Sequence, residues 1–287
     1  MNTPLFRIHI SSLLLLGLLF FPAPVASQLS EDLQLWDLGA SQAVALSGLV
    51  PALSMADVVI VGESHGHLGH HAAQLSIIQA LHRFGTPVAV GLEMFQQREQ
   101  HVLDDWVAGR LSEPEMVQAF ARNWGVQWPA YRNIFLYCRD HGLPMVGLNV
   151  PREITRKVAR QGFASLTREE LGLLPPIVCR IDPEYEAFLR RFVGSDGHSG
   201  AFTRFCEAQL VWDAAFAVHA LEFLKTRPEY TMVLLTGSVH AWKPAVPDQI
   251  QRLAPQISQF SIVPDVPVHM HRTDISIRDA DYLLMGF

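Results

Sequence analysis

Four short β-type runs constrain this chain more than any other feature. They are Asp57-Val58-Val59-Ile60-Val61, Val88-Ala89-Val90-Gly91-Leu92, Met145-Val146-Gly147-Leu148 and Met232-Val233-Leu234-Leu235-Thr236. Their apolar character is continuous rather than alternating, the pattern of strands covered on both faces. Between the first two, a helix is expected over 70–84, with Leu75, Ile78 and Leu81 at helical spacing. Strand–helix–strand units of this kind build an α/β fold with a mainly parallel central sheet flanked by helices.

Each run ends in polar residues. The first leads into Gly62-Glu63-Ser64-His65, the second into Glu93, the third into Asn149-Val150-Pro151-Arg152 and the fourth into Gly237-Ser238-Val239-His240. Ligands of open α/β sheets bind beyond the carboxyl ends of the strands. Four such endings in one chain point to a site; the plainer alternative is that polar residues simply begin each loop.

The rest of the chain reads as helices. One is expected over 93–109, with Phe95, Val102, Leu103 and Trp106 apolar. Ser112-Glu113-Pro114-Glu115 is a capping-box start, and Asp182-Pro183 opens another helix. Further helices are expected to about 122, to about 141 and over 152–162, with a start at Thr167-Arg168-Glu169-Glu170. A loop rich in Gly and Ser spans 194–200. Segments 94–142 and 153–201 are expected to form a helical subdomain inserted in an α/β core of about 50–93, 143–152 and 202–287. A long helix over 202–224 puts Gln209 and Asp213 on one face. A short helix over 246–253 and edge strands over 259–263 and 282–285 complete the reading.

The N-terminus reads as an address. Arg7 is the only charged side chain before Glu31. The apolar run Leu13-Leu14-Leu15-Leu16-Gly17-Leu18-Leu19-Phe20-Phe21 is short for a membrane span, and Pro22-Ala23-Pro24-Val25-Ala26-Ser27 supplies small residues. A signal peptide over 1–27, cleaved near Ser27–Gln28, is expected, with a periplasmic or secreted mature chain over 28–287. Charged residues at 17% against 49% hydrophobic exclude a disordered chain. A net charge of −6 argues against a nucleic-acid partner. Three cysteines, Cys138, Cys179 and Cys206, cannot make a disulfide scaffold.

The residues leave two chemistries open. His65, Glu93 and His240 are suitable ligand types for a divalent metal, with Glu63 as a general base if the chain is a hydrolase. The two Gly-x-x-His motifs, Gly62 to His65 and Gly237 to His240, follow strands directly; HExxH, GxSxG and phosphate-loop motifs are absent. The other chemistry is non-covalent haem, since CxxCH is also absent. Trp124, Trp128 and Tyr131 could face a flat macrocycle, unless they are ordinary core. Tyr131 is the axial candidate, with His67, His70 and His71 as alternatives.

In the order and spacing of these motifs, the chain resembles the ChaN-like haem-binding uptake family, within the Tiki/TraB and erythromycin-esterase-like grouping. The resemblance runs from about residue 57 to the C-terminus. It rests on Val61-Gly62-Glu63-Ser64-His65, Gly91-Leu92-Glu93-Met94-Phe95, Trp128-Pro129-Ala130-Tyr131, Asn149-Val150-Pro151-Arg152, Ala208-Gln209 with Trp212-Asp213, and Gly237-Ser238-Val239-His240. It implies an exported protein of iron or haem acquisition, working with an outer-membrane or periplasmic haem-uptake component. It implies a homodimer holding stacked haems, with tyrosine ligation carried here onto Tyr131. Arg152 would then pair with a propionate. Tiki-type relatives are metal-dependent proteases whose Gly-x-x-His and glutamate positions correspond to His65, Glu93 and His240. Gly62, Asn149, Gln209, Asp213 and Gly237 are the expected supporting residues. Many ChaN-like members are lipoproteins, and this chain has no lipobox cysteine.

Overall fold

A computed structural model describes residues 33–194, 200–264 and 272–286. The expected signal peptide and most of the 194–200 loop lie outside the described residues. Among the described residues no helix is long and apolar enough to cross a membrane.

In chain order the elements are β1 (Gln34–Asp37), β2 (Gln42–Ala45), α1 (Leu46–Leu53), β3 (Val58–Glu63), α2 (Leu68–Phe84), β4 (Val88–Gln96), α3 (Gln100–Val107), α4 (Glu113–Asn123), α5 (Trp128–His141) and β5 (Met145–Asn149). There follow α6 (Arg152–Gln161), α7 (Arg168–Leu171), α8 (Pro183–Val193), α9 (Gly200–Thr226), β6 (Thr231–Gly237), α10 (Ser238–Ala241), α11 (Val246–Leu253), β7 (Gln259–Val263) and β8 (Tyr282–Leu284). The eight strands form one sheet in the order β2-β1-β8-β7-β3-β6-β4-β5. From β8 to β5 every pairing is parallel, and β1 joins β2 and β8 antiparallel. The four apolar runs are thus the neighbouring strands β3, β6, β4 and β5. β7 and β8 are interior rather than edge strands, because the unforeseen β1 and β2 extend the sheet beyond them.

The continuous apolar runs feed two cores, one on each face. Val59, Val61, Val90, Leu92, Val233 and Leu235 pack with α2, α3, α4 and α5. Val58, Ile60, Ala89, Met232 and Leu234 pack with α8, α9 and α11. Strand period two makes this division: odd and even positions point to opposite sides. The helices of 94–142 and those of 153–193 therefore lie on opposite faces of the sheet, with α6 and α9 sharing a small third core.

One local difference from the sequence reading matters for the site. The helix expected from Glu93 begins only at Gln100, because β4 runs on to Gln96. Its register with β5 jumps between Leu92 and Gln96, which pair with Gly147 and Asn149. This bulge puts Glu93, Met94 and Phe95 into extended backbone and re-aims Glu93. Gly147 makes room for it: a Cβ there would lie 2.8 Å from the Gln96 carbonyl oxygen.

Candidate functional site

The carboxyl ends of β3, β6, β4 and β5 open on the same edge of the sheet. The chain crosses from β3 to β4 over one face by α2, and from β5 to β6 over the other by α9. β6 lies between β3 and β4, so this edge is a switch point where a crevice forms.

Glu63 ends β3 and is fully buried. Its Oε1 lies 2.9 Å from His65 Nδ1 and accepts from the Tyr131 hydroxyl. Its Oε2 accepts from Gln74 Nε2 at 3.0 Å and lies 3.1 Å from His71 Nδ1. Burial alone would raise the carboxyl pKa. The hydrogen bonds from His65 and His71, the His71 charge and the Tyr131 hydroxyl outweigh it and bring Glu63 down to about 2. Both its oxygens are taken by buried neighbours, so Glu63 is not placed as a base facing a substrate. It is an anchor that orients His65.

The second half-site is built around His240, on the short α10. His240 Nδ1 lies 2.6 Å from Asp213 Oδ1 of α9, and Asp213 Oδ2 accepts from the Tyr185 hydroxyl at 2.5 Å. Burial opposes a charged His240, but Asp213 and Glu93 outweigh it and raise its pKa. Burial likewise opposes a charged His65, and Glu63 and Glu93 raise it.

Glu93 sits between the two histidines. Its Oε2 accepts from the Gly237 amide at 2.5 Å, and its Oε1 lies 3.9 Å from His240 Nε2, beyond a hydrogen bond. The backbone of Gly237 is the floor on which they meet. A Cβ there would lie 2.9 Å from His65 Cε1, 3.1 Å from His65 Nε2 and 3.5 Å from Glu93 Oε2. Gly62 is as tight, with Pro264 Cδ at 2.9 Å from such a carbon. Asn149 holds the bulge by donating to the Glu93 carbonyl at 2.7 Å, while its Oδ1 accepts from Trp212 Nε1 at 3.2 Å.

Glu63, His65, Glu93, His240, Asp213, Asn149 and Gly237 are therefore gathered as expected. His65, Glu93 and His240 do not form a metal cage. Among the described residues no group of three or more His, Cys, Asp or Glu side chains is arranged to hold a metal ion. Gln209 is half-buried, with its Oε1 unpartnered. Arg152 stands half-buried at the start of α6, with no ion-pair partner among the described residues.

Tyr131 is placed differently from the sequence reading. It lies three residues into α5, 0% exposed, packed 4.2 Å from the His71 ring. Burial and then the Glu63 charge push its hydroxyl well above the usual tyrosine range. Its oxygen is spent on Glu63 and closed to solvent, so this arrangement does not offer it to an iron. Trp128 is likewise core, edge-on to Trp106 and Phe120. Trp124 alone of the cluster reaches the opening, edge-on to His65 at 5.0 Å. Of the alternative ligands, His70 and His71 are buried, and His67 caps α2 through Nδ1. Sequence reasoning offered His71 only as an alternative haem ligand, not as a partner of Glu63, and missed Gln74 and Tyr185. His71 and Gln74 lie 3 apart on α2, a spacing that placed them on one face.

Two large apolar side chains are exposed in the segments that adjoin His65. Leu68 is 69% exposed and Val126 is 92% exposed. Their loops adjoin: a Cβ on Gly66 would lie 3.7 Å from Gln127 Nε2.

Comparison with known proteins agrees with this architecture. The family described as haem-binding uptake, Tiki superfamily, ChaN matches residues 49–250. The chain belongs to that family. The fold is that of ChaN of Campylobacter jejuni, solved with cofacial haem binding. That structure is 19% identical, with a TM-score of 0.67, over 88% of this chain and 96% of that one. An erythromycin esterase mutant in its open conformation is more distant, 16% identical with a TM-score of 0.47, over 75% of this chain and 71% of that one. The chloroplastic protein RETICULATA-RELATED 5 of Arabidopsis thaliana is 28% identical over 90 residues, which are 31% of this chain and only 12% of that protein.

Proposed function

We propose that this chain is an exported haem-binding protein of haem acquisition, and that His65 is the side chain that meets the iron. One observation carries the ligand assignment. Glu63 takes His65 Nδ1, while Nε2 has no hydrogen-bond partner among the described residues, on a ring whose side chain is 42% exposed. A carboxylate on one imidazole nitrogen fixes the proton there and leaves the other as a lone-pair donor, the usual arrangement of a ligating histidine.

The surroundings fit a haem. Trp124, Leu68 and Val126 supply an apolar rim, and Arg152 is a cation free to meet a propionate. Haem brings the iron and its flat macrocycle; the chain orients His65, excludes water at the rim and offers a counter-charge. Family membership supports haem as the ligand. Export rests on the N-terminal sequence, and a homodimer and a haem-uptake partner rest on the family resemblance.

The test is titration of the purified protein with haemin, read in the visible spectrum. A stoichiometric change of the Soret band is expected, lost in His65→Ala. Unchanged free-haemin absorption would sink the proposal.

A second reading is hydrolysis. Two carboxylate-anchored histidines, Glu63–His65 and Asp213–His240, flank Glu93, an arrangement suited to proton transfer. In this reading Glu93, not Glu63, shares a substrate with the histidines. Hydrolysis of p-nitrophenyl esters that disappears in Glu93→Gln would support it; no turnover above buffer would end it.

A further inference from the structure

A cavity of about 430 Å³ lies away from the Glu63 and Glu93 centre, on the α9 face of the sheet. Its volume falls in the range of small-molecule sites. Its walls come from the segment before α8, from α9 and from α11: Ile177, Val178, Leu210, Ala214, Val218 and Leu253 are its apolar lining.

The charges at its mouth are unequal in their commitments. Arg252 is held by two carboxylates, Asp182 at 2.7 Å and Asp248 at 2.5 Å. Asp182 is further used as the cap of α8, accepting from the Tyr185 amide at 2.8 Å. Arg180 also lines the cavity and has no ion-pair partner among the described residues. An apolar trough with one uncommitted guanidinium matches a ligand with an apolar body and one carboxylate.

The cavity is also wired to the sheet edge. Tyr185 is part of its wall, and the hydroxyl of the same residue donates to Asp213, which holds His240. Three side chains therefore connect the cavity to Glu93, 3.9 Å beyond His240. A ligand pressing on the Tyr185 ring acts on the hydrogen bond that sets the charge and tilt of His240.

We propose that this cavity is a second ligand site, taking an amphipathic monocarboxylate of the fatty-acid class, and that its occupancy is transmitted to His240 through Tyr185 and Asp213. Arg180 pairs with the carboxylate, Ala214 and Leu210 receive the chain, and the relay carries the effect across α9. The site is separate from the haem rim at His65, which α2 and the loop after α4 build on the opposite side of the sheet.

The experiment uses dodecanoate below its micelle-forming concentration, with isothermal calorimetry and NMR of the His240 ring on the whole mature chain. One dodecanoate per chain is expected to bind saturably. The cation dodecyltrimethylammonium is expected to bind far more weakly. Arg180→Glu, a change at an exposed side chain, should weaken dodecanoate by about tenfold or more, the scale of one charge-assisted contact. Ala214→Trp should fill the cavity and abolish binding. The His240 ring resonances should move on dodecanoate addition in the unaltered chain and stay still in Tyr185→Phe. Absence of saturable binding, equal affinity for the cationic amphiphile, or indifference to Arg180→Glu would overturn the site. Binding without any response at His240 would overturn the transmission. Haemin binding is read separately by absorbance, so neither result stands in for the other.

Discussion

The Tyr131 hydroxyl donates to Glu63 across 68 residues of chain. The pair closes the bottom of the site: Glu63 is ionised inside the protein only because Tyr131, Gln74, His71 and His65 all point at it. A buried charge with fewer partners would cost several kcal/mol.

This burial makes stability depend on acid. Glu63 has a folded pKa of about 2 against 4.5 when unfolded, so its contribution is fully present above 4.5 and is lost as pH falls from about 5 toward 2. The difference corresponds to about 3 kcal/mol. Denaturant unfolding between pH 7 and pH 3 is expected to show about 2 kcal/mol of that loss, and Glu63→Gln to flatten it. An unaltered slope in the variant would contradict the assignment.

Tyr131→Phe removes one donor from a buried carboxylate. A loss of about 1–3 kcal/mol is expected, measured as a lower urea midpoint at unchanged slope. On the proposed ligation by His65, the Soret band of the haem complex is expected to stay where it is. A displaced band would return the ligand to tyrosine.

If His65 is the ligand, as proposed, iron competes there with a proton. The His65 pKa is raised against the opposing effect of burial, by Glu63 and Glu93. The protonated, non-ligating form therefore persists above the usual 6.5. Haemin affinity is expected to rise with pH through the neutral range, and Glu63→Gln to shift that rise toward acid. Affinities measured from pH 6 to 9 check it; a flat profile would exclude His65.

Gly237→Ala places a methyl 2.9 Å from His65 Cε1. The half-exposed ring can swing outward, so the melting temperature is expected to fall little while haemin binding weakens by tenfold or more. A large loss of stability with intact binding would be the opposite result.

Much of this protein was legible in the sequence. The continuous apolar runs gave β3, β4, β5 and β6, because a strand covered on both faces needs no polar side. The capping box at Ser112 and the Asp182 cap marked α4 and α8, because these are local hydrogen bonds between near neighbours. The polar residue after each strand named most of the site, because parallel strands deliver their carboxyl ends to one edge.

Local pattern misjudged Glu93 and the aromatic cluster. Met94 and Phe95 look helical by spacing, yet pairing with β5 through a bulge keeps them extended. Trp124, Trp128 and Tyr131 are equally aromatic in sequence; packing against Phe120 and Trp106 decides that two are interior and one is rim.

By itself the sequence determined the four central strands, most of the helices and the polar edge, since periodicity and capping act over a few residues. Tertiary structure alone decided which oxygen of Glu63 faces His65, that Tyr131 is closed to solvent, and that His240 is held by Asp213. Those choices depend on distances between residues far apart in the chain, and only the packed fold sets them.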